Sequence, residues 1–413
     1  MAISDSIHTD PGLVRVVREL ALEGLEKPGL TVFPERQRYA WLRETGSRLW
    51  LDTGDAAAAE RAWSAETEAL TTNNTLVNQV VQTGALDEVV TGGAKRIREL
   101  TPGILERDLV VELGFLANAK LALGLVSRFG ARVSVELHPD LGDDIPGILT
   151  FARRYFEICP ENFYVKVPLT PDGYVAVRRL ADEGIPVNYT LGFSARQNYL
   201  AARFSRPAFV NVFLGRLNAV IEDNHAGDPV NVGEKATLAS DELMKNIRAS
   251  SPDVPTQQIA ASIRGGRQIA ALAGVDVFTM PPKAAEEYLA LDITRADVAP
   301  QNWRDLDVRV DTGRFGLLWQ VDAAFVGFVE DALRKAPQIT SGRELVELSR
   351  AHGVSLFRDW SADDRARIRD HGKIPDLSQW PDAPLDDLMS VSALESFAAD
   401  QTALDERIER LAG

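Results

Sequence analysis

The chain has 413 residues, a formal net charge of −15 at pH 7, a sequence pI near 4.9 and a single cysteine, Cys159. This negative charge argues against a nucleic-acid partner, although a local cationic pocket for one phosphate is compatible with it. One cysteine excludes an intrachain disulfide framework and a cysteine-rich metal site. It is typical of a reducing compartment, so we expect a cytoplasmic protein.

The N-terminal segment predicts a helix rather than a targeting signal. Residues 12–26 place apolar side chains at helical spacing after the start signal Asp10-Pro11. The first ten residues lack a basic region followed by an apolar run, and no uncharged apolar stretch of 18 residues occurs in the sequence. We therefore predict a helical leader over residues 1–47 and neither export nor membrane insertion.

From Leu49 onward, short apolar runs alternate with longer amphipathic segments, which is typical of repeated β-then-α units. Eight strands are predicted, at residues 49–53, 69–72, 133–137, 163–167, 186–190, 209–214, 258–263 and 275–280. Eight units favour an α/β fold of the (β/α)8 TIM barrel class over residues 48–290. An open doubly wound sheet is the alternative, but no Gly-x-Gly-x-x-Gly follows the first strand, so a dinucleotide crevice lacks support.

After residue 290 the strand pattern stops, and we predict a helical C-terminal extension over residues 291–413, packed on the barrel. Apolar residues stand at helical spacing in segments 315–334 and 391–411. The charged segment 359–382 favours a solvated excursion. The extension could also cover the mouth of the barrel as a lid.

Lys166 is the most informative residue, because it lies in the middle of an otherwise apolar strand, residues 162–169. Burying an ammonium in this way is costly unless chemistry or a partner keeps it there. An amine in an apolar site loses proton affinity, and a neutral amine can attack a carbonyl to form a Schiff base. Taken alone the signal is weak, since strand lysines more often snorkel or pair with an acid.

Polar residues stand at the ends of six predicted strands, and a barrel gathers the carboxyl ends of its strands at one mouth. They are Asp52, Asn73, Glu136, Lys166, Asn188 with Thr190, and Asn211 with Arg216 just beyond. Each has a structural alternative, such as a turn residue, a helix cap, an ion-pair partner or a strand former. Together they predict an amine surrounded by two carboxylates, amides and a hydroxyl.

Six short motifs, in this order along the chain, resemble the transaldolase family. They are Leu-Asp-Thr-Gly-Asp (51–55), Leu-Thr-Thr-Asn (70–73), Val-Ser-Val-Glu (133–136), Tyr-Val-Lys-Val-Pro (164–168), Asn-Tyr-Thr-Leu-Gly-Phe-Ser (188–194) and Phe-Leu-Gly-Arg (213–216). The resemblance covers residues 48–290. It implies a Schiff-base enzyme of the pentose phosphate pathway that moves a dihydroxyacetone unit from sedoheptulose 7-phosphate or fructose 6-phosphate to glyceraldehyde 3-phosphate or erythrose 4-phosphate.

The resemblance also implies catalytic roles for four residues. Lys166 falls on the Schiff-base lysine, and Asp52 falls on the acid/base that takes the C4 hydroxyl proton as the C3–C4 bond breaks. Glu136 and Thr190 fall on the pair that shuttles protons through an ordered water during imine formation. The division is chemically sensible, because one carboxylate cannot serve both the imine nitrogen and the departing aldehyde.

Other matched residues are expected to bind the substrate. Asn73 and Asn188 fall on amides that hold the hydroxyls of the three-carbon fragment. Arg216 falls on the arginine of the family's Gly-Arg motif, and Ser262 with Arg264 on its Ser-x-Arg motif, which together bind the phosphate.

Three positions bear on the choice of substrate and reaction. Glu136 and Phe213 are transaldolase-like, whereas the aldolase branch tends towards glutamine and tyrosine there, so transfer is favoured over net cleavage. Asn211 stands where serine is typical, next to the substrate. A larger amide could reshape the donor contacts or accommodate an unusual acceptor, so a specialised enzyme or an aldolase acting on a modified sugar phosphate is the alternative.

Two further classes of function have less support. The five histidines, His8, His138, His225, His352 and His371, form no ligand motif, which disfavours a metal-dependent aldolase. We expect no cofactor, because an iminium serves as the electron sink. A non-catalytic sugar-phosphate-binding barrel is disfavoured by the joint presence of lysine and both carboxylates. We expect sugar phosphates as partners, no nucleic acid and no membrane, and we leave a homo-oligomer open.

Overall fold

The computed structural model describes residues 5–25 and 32–413, in which eight parallel strands close into one barrel in sequence order. The strands β1 to β8 are Arg48–Asp52, Thr67–Thr71, Arg132–Glu136, Phe163–Pro168, Val187–Thr190, Phe209–Phe213, Gln257–Ala261 and Val277–Met280. Strand β1 pairs with both β2 and β8, which closes the barrel. The (β/α)8 prediction is confirmed, the open-sheet alternative is wrong, and the predicted strand bounds differ from these by one or two residues.

Helices surround the barrel and form most of the chain after β8. Named α1 to α19 within the described ranges, they are Asp5–His8, Pro11–Leu22, Gln37–Glu44, Ala56–Ala62, Asn74–Gln82, Asp87–Leu100, Glu106–Phe129, Ile145–Ile158, Pro171–Asp182, Ala195–Leu200, Leu214–Asp223, Val232–Ser250, Gly266–Ala271, Pro282–Ala290, Thr312–Phe315, Ala323–Lys335, Gly342–Ala351, Ala362–His371 and Leu385–Ala412. Short 3-10 turns lie at Pro139–Leu141, Arg295–Asp297, Trp303–Asp305 and Gly316–Leu318, and a π-helical turn at Ala201–Ser205.

Aromatic side chains fill the barrel interior below its mouth. Trp50, Tyr164 and Phe209 belong to one buried cluster, with the Trp50 and Phe209 ring centroids 4.7 Å apart. Side chains two residues apart on a strand share a face. Trp50 and Tyr164 therefore bring Asp52 and Lys166 to the same inner face, one layer nearer the carboxyl ends of the strands.

The N-terminal helix α2 is shorter than predicted. Asp10 caps it by accepting a hydrogen bond from the Leu13 backbone at 2.8 Å, and the helix ends at Leu22. Glu26, the last residue of the predicted helix, lies outside the described residues, as do the other residues of segments 1–4 and 26–31. Helix α2 packs against α6 and α7.

Helix α7 is long and apolar enough to span a membrane, but most of it is buried inside the protein. Near its start, Glu112 accepts two hydrogen bonds from Arg154, at 2.7 and 2.6 Å, and lies 2.7 Å from His8. Burial alone would raise the pKa of Glu112, but Arg154 and His8 outweigh it and hold the pKa below its usual range. This buried ion pair joins α7 to α8, and His8 of α1 packs onto it.

The chain after β8 is helical, as predicted, with one correction. Helix α16 begins at Ala323, capped by Asp322, instead of at residue 315, because a 3-10 turn occupies Gly316–Leu318. The segment 359–382 is exposed at most positions, as predicted, but Ile368, Leu377 and Trp380 are buried and anchor it to the protein. These anchors stand singly among charged residues, so they give no periodic signal in the sequence.

The last helix, α19, lies across the barrel helices on the β2–β3 side. It begins at Leu385, packs against α5, α6 and α7, and is buried over much of its length. Leu394, Leu404 and Ile408 belong to the main hydrophobic core.

Candidate active site

Lys166 lies on β4 with its ammonium inside the barrel. Its Nζ donates to the backbone carbonyl of Thr72 at 2.9 Å and lies 3.3 Å from Oε2 of Glu136. Glu136 and Lys166 are paired residues of β3 and β4, and both are buried. A buried ammonium thus has a carboxylate and a carbonyl as partners, which offsets the cost noted for an unpaired charge.

Two carboxyl groups near this amine hold protons more tightly than exposed ones do. Burial raises the pKa of Glu136, and the charge and hydrogen bond of Lys166 offset only part of the rise. Burial also raises the pKa of Asp52, with a partial offset from Lys166 and Arg264. Carboxyl groups tuned upward in this way suit proton transfer in both directions.

Buried polar atoms with unused hydrogen-bonding capacity lie on β5. Asn188 is the paired residue of Lys166 and donates from Nδ2 to Oγ of Ser134 at 3.1 Å. Its Oδ1 and the hydroxyl oxygen of Thr190 are buried without a hydrogen-bond partner in the described part of the chain. Such atoms are rarely left unpaired in folded proteins, so they are expected to bind water or substrate.

A cavity of about 300 Å³ opens at the carboxyl ends of the strands. Most of the predicted site residues line it: Asp52, Asn73, Lys166, Asn188, Asn211, Phe213, Arg216, Ser262 and Arg264. Glu136 and Thr190 are not part of the lining, and Glu136 contacts the site through Lys166. The barrel therefore brings the predicted residues to one place from β1 through β7.

Two arginines approach each other at one side of this cavity. Arg216, in the first turn of α11, is buried, and its Nη1 has no partner among the described residues. Burial, together with the neighbouring charge of Arg264, lowers the pKa of Arg216 to about 10. A guanidinium that is buried beside another cation and has a free donor is suited to an anionic ligand.

Gly215 makes this approach of the two arginines sterically feasible. A Cβ atom at Gly215 would lie 2.6 Å from Cγ of Arg264 and would also overlap the backbone carbonyl of Ser262. Ser262 itself adopts a φ of +61° directly after the end of β7. The Phe-Leu-Gly-Arg motif thus needs its glycine for close packing rather than for its own backbone conformation.

Two asparagines at the cavity wall also hold the backbone. Asn73 caps α5, its Oδ1 accepting from the Leu76 backbone at 2.8 Å, so the helix cap and the cavity wall are combined in one residue. Asn211 accepts from the Gly192 backbone at 3.0 Å and donates to the Tyr189 carbonyl. Both ends of the Asn211 amide therefore hold the turn after β5, which leaves it less free to bind substrate than the sequence suggests.

Several cavity residues do not appear among the predicted ones. Thr279 lies near the end of β8 and lines the cavity, and its strand-end position is a signal that could have found it. Lys373 and Phe397 come from the C-terminal extension. Their sequence surroundings, a charged loop and a helix, give no indication that they reach the mouth of a barrel formed more than 90 residues earlier.

His138, the histidine nearest a strand end, has a structural environment. It lies 3.3 Å from Asp405 and accepts from the Asp140 backbone at 3.2 Å, away from the lining of the cavity. Within residues 5–25 and 32–413, no group of three or more His, Cys, Asp or Glu side chains forms a candidate metal site.

The family model and the similar proteins found by comparison all point to one family. Residues 49–336 match the family model described as Transaldolase/Fructose-6-phosphate aldolase. A probable transaldolase of Thermus thermophilus is 40% identical over 189 residues, which is 45% of this chain and 75% of the relative. A probable transaldolase of Nitrosopumilus maritimus is 37% identical over 165 residues, 40% of this chain. The chain spans 66% of that relative, slightly less than two thirds of its length.

Proposed function

The chain belongs to the transaldolase/fructose-6-phosphate aldolase family, and we propose that it is a transaldolase working through a Schiff base on Lys166. It transfers a dihydroxyacetone unit from sedoheptulose 7-phosphate or fructose 6-phosphate to glyceraldehyde 3-phosphate or erythrose 4-phosphate. The observation that carries the proposal is Lys166 at the wall of a cavity that Asp52 and two arginines also line, with Glu136 paired to its ammonium from behind.

Imine formation is the first step. Glu136 takes a proton from the ammonium of Lys166, and the neutral amine then adds to the C2 carbonyl of the ketose, giving a carbinolamine. Glu136 lies 3.3 Å from this nitrogen, and its raised pKa supports a role in which it delivers a proton to the departing hydroxyl, which leaves as water. The unpartnered hydroxyl of buried Thr190 supports its proposed part in holding that water.

Carbon–carbon cleavage is the second step. Asp52 takes the proton of the C4 hydroxyl, the C3–C4 bond breaks, and its electron pair moves into the iminium to give an enamine while the aldose phosphate leaves. An acceptor aldehyde then adds to the enamine, Asp52 returns the proton to the new hydroxyl, and water hydrolyses the iminium so that the new ketose phosphate leaves and the amine of Lys166 is restored. Burial keeps the pKa of Asp52 high, which makes it a better base than an exposed aspartate.

The other site residues bind and orient the sugar in this proposal. Asn188 offers an amide oxygen that has no partner among residues 5–25 and 32–413 to a substrate hydroxyl, and Asn73 lines the same cavity. Arg216, whose Nη1 is unpaired in the part of the chain that the structure describes, binds the phosphate together with Arg264 and Ser262. We assign Asn211 to shaping the wall, because both of its polar atoms hold the backbone.

Transfer is favoured over net cleavage by Glu136 and Phe213. The Phe213 ring lines the cavity, and its centroid lies 5.7 Å from that of the Phe193 ring. The cavity wall is therefore apolar at this position and offers no phenolic proton to the enamine. An aldolase acting on a modified sugar phosphate is the second candidate, favoured by the unusual Asn211. A barrel that binds sugar phosphates without catalysis is a third, disfavoured by the Lys166–Glu136 contact.

Broader parts of the proposal follow from the same assignment. We propose a leader over residues 1–47, a catalytic barrel over 48–290 and an extension over 291–413. We also propose a cytoplasmic enzyme of the pentose phosphate pathway, with sugar phosphates as its partners and no cofactor.

Borohydride trapping tests the proposal directly. Fructose 6-phosphate and borohydride are expected to leave a reduced three-carbon adduct on the peptide containing Lys166, as read by mass spectrometry, and erythrose 4-phosphate is expected to discharge it. Lys166→Met should abolish the adduct, whereas Lys283→Met, at an exposed lysine after β8, should not. A folded wild-type protein that forms no adduct with either ketose phosphate would exclude this function.

A further inference from the structure

We propose that Lys373, in the C-terminal extension, is a specificity-determining residue that binds the phosphate of the sugar together with Arg216 and Arg264. The inference rests on the proposed function and deepens it, because it adds a cation from outside the barrel to the substrate site. Lys373 also lies beyond residues 49–336, the part that matches the family model.

The side chains that line the cavity carry more positive than negative charge, which favours an anionic ligand. Among the described residues that line it, four are cations, namely Lys166, Arg216, Arg264 and Lys373, and one is an acid, Asp52. The chain as a whole carries a formal charge of −15. A local surplus of cations in such an acidic protein concentrates and orients an anion at this point.

Lys373 is available for a ligand. Its side chain is exposed at the cavity wall, and its ammonium makes no ion pair or hydrogen bond within the described parts of the chain. It also lines a neighbouring open cavity of about 680 Å³. Lys373 therefore lies between the site cavity and this second, open cavity, within reach of a ligand in either one.

The loop that carries Lys373 is held in place by the same helix that carries Arg216. Asn224, at the end of α11, donates to the Pro375 carbonyl at 3.0 Å and accepts from the Leu377 backbone at 2.8 Å. Arg216 lies in the first turn of α11. One helix thus sets the positions of two cations of the site, although they are far apart in the sequence.

Phe397 supports the same role for the extension. It reaches the cavity from α19, so the extension contributes an apolar wall as well as a cation. Close to it in sequence, Asp400 accepts a hydrogen bond from Thr75, a residue of the cavity lining. The extension is therefore part of the substrate site rather than a distant cover.

The binding test uses glucitol 6-phosphate, which has no carbonyl and cannot form an imine, so its affinity does not depend on the chemistry at Lys166. Lys373→Gln should raise its Kd by about tenfold, the usual scale for one charge-assisted hydrogen bond. Lys373→Arg should retain most of the affinity. The matched control is Lys283→Gln, since Lys283 lies after β8 but outside the cavity lining. The Kd should not change in that control.

The kinetic test measures fructose 6-phosphate and erythrose 4-phosphate. Lys373→Gln should raise KM by about five- to tenfold for a phosphorylated substrate while the rate of Lys166 trapping at saturation stays unchanged. An unchanged Kd for glucitol 6-phosphate in Lys373→Gln, or no binding by the wild type, overturns the inference even when transfer activity is present. If glucitol 6-phosphate binds in a way that depends on Lys373 but no adduct forms on Lys166, the anion site is supported and the transaldolase function is excluded.

Discussion

Glu136 and Lys166 are paired across neighbouring strands, and their side chains meet inside the barrel with 3.3 Å between Oε2 and Nζ. Glu136→Gln keeps the shape but removes the proton carrier, so imine formation should slow by about 10²- to 10⁴-fold. Stopped-flow measurement of adduct formation on Lys166 checks this. An unchanged rate would assign the proton transfers to another group.

Asp52 is predicted to act after the imine has formed. Asp52→Ala should therefore keep borohydride trapping of the intact ketose while slowing C3–C4 cleavage by at least about 10²-fold, the scale of one general base. Single-turnover release of the aldose phosphate measures the cleavage step separately. Equal trapping with undiminished turnover would contradict the assignment of Asp52.

Gly215→Ala should separate the two arginines. Its Cβ would overlap the Ser262 carbonyl and lie 2.6 Å from Cγ of Arg264, so the loop after β7 must move. The expected result is weaker binding of phosphorylated ligands and a loss of about 1–3 kcal/mol in the free energy of unfolding, as for overpacking. Urea unfolding and ligand titration measure both quantities.

Gly124→Ala is the matched control for that experiment. Gly124 lies in the interior of α7, where an added Cβ would meet nothing within 4 Å. Alanine should stabilise the helix by about 0.5–1 kcal/mol and leave ligand binding unchanged. If Gly215→Ala behaves like this control, the close approach at Ser262 is not needed.

Asn211→Ser tests whether this residue holds the wall or binds substrate. A serine is too short to replace both the bond from Gly192 and the bond to Tyr189, so the free energy of unfolding should fall by about 1–3 kcal/mol. Asn246→Ser, at an exposed position of α12, is the control. Unchanged stability combined with an altered KM for the ketose would instead indicate a direct contact with substrate.

Asp387 makes the stability of the extension depend on pH. Burial raises the pKa of Asp387 from 3.8 to about 7, while bonds from the Arg358 backbone and Trp360 offset part of the rise. The folded state is therefore expected to retain a proton that the unfolded chain has lost, so the stabilisation that depends on Asp387 is fullest below about pH 4 and is lost as the pH rises to about 7. The largest loss from this group is about 4 kcal/mol.

Asp387→Asn should flatten this dependence. Both bonds end on Oδ2, so one amide oxygen can accept them. Urea unfolding between about pH 4 and 8 should show a smaller slope for the variant than for the wild type, whereas the exposed Asp253→Asn should keep the wild-type slope. Identical slopes in all three proteins would show that Asp387 does not titrate in this range.

The barrel and much of its site are predictable from the sequence for a physical reason. Strands buried on both faces appear as short apolar runs, and a charged residue within such a run, as with Lys166, costs free energy unless a partner or a ligand stabilises it. Parallel strands in a closed barrel then bring their carboxyl ends together whatever their separation in the chain.

The residues that the C-terminal extension adds to the cavity cannot be predicted from strand patterns in this way. Lys373 reaches the cavity because Asn224 binds its loop and because Trp380 and Leu377 are buried nearby, and all of these are long-range contacts. The two bonds of Asn211 depend likewise on the turn after β5, where Leu191 adopts a φ of +67°. Sequence patterns report local periodicity, so contacts of this kind appear only in three dimensions.

The bond between Thr75 and Asp400 joins residues 325 positions apart. During synthesis all eight strands exist once residue 280 has been added, but α19 needs a further 132 residues, to Ala412. At the usual pace of translation this interval is roughly 7 to 26 s. For that time the eight strands exist in a chain that still lacks the Phe397 wall of the cavity. Products of premature termination before α19 would lack both this wall and the core contacts of Leu394, Leu404 and Ile408.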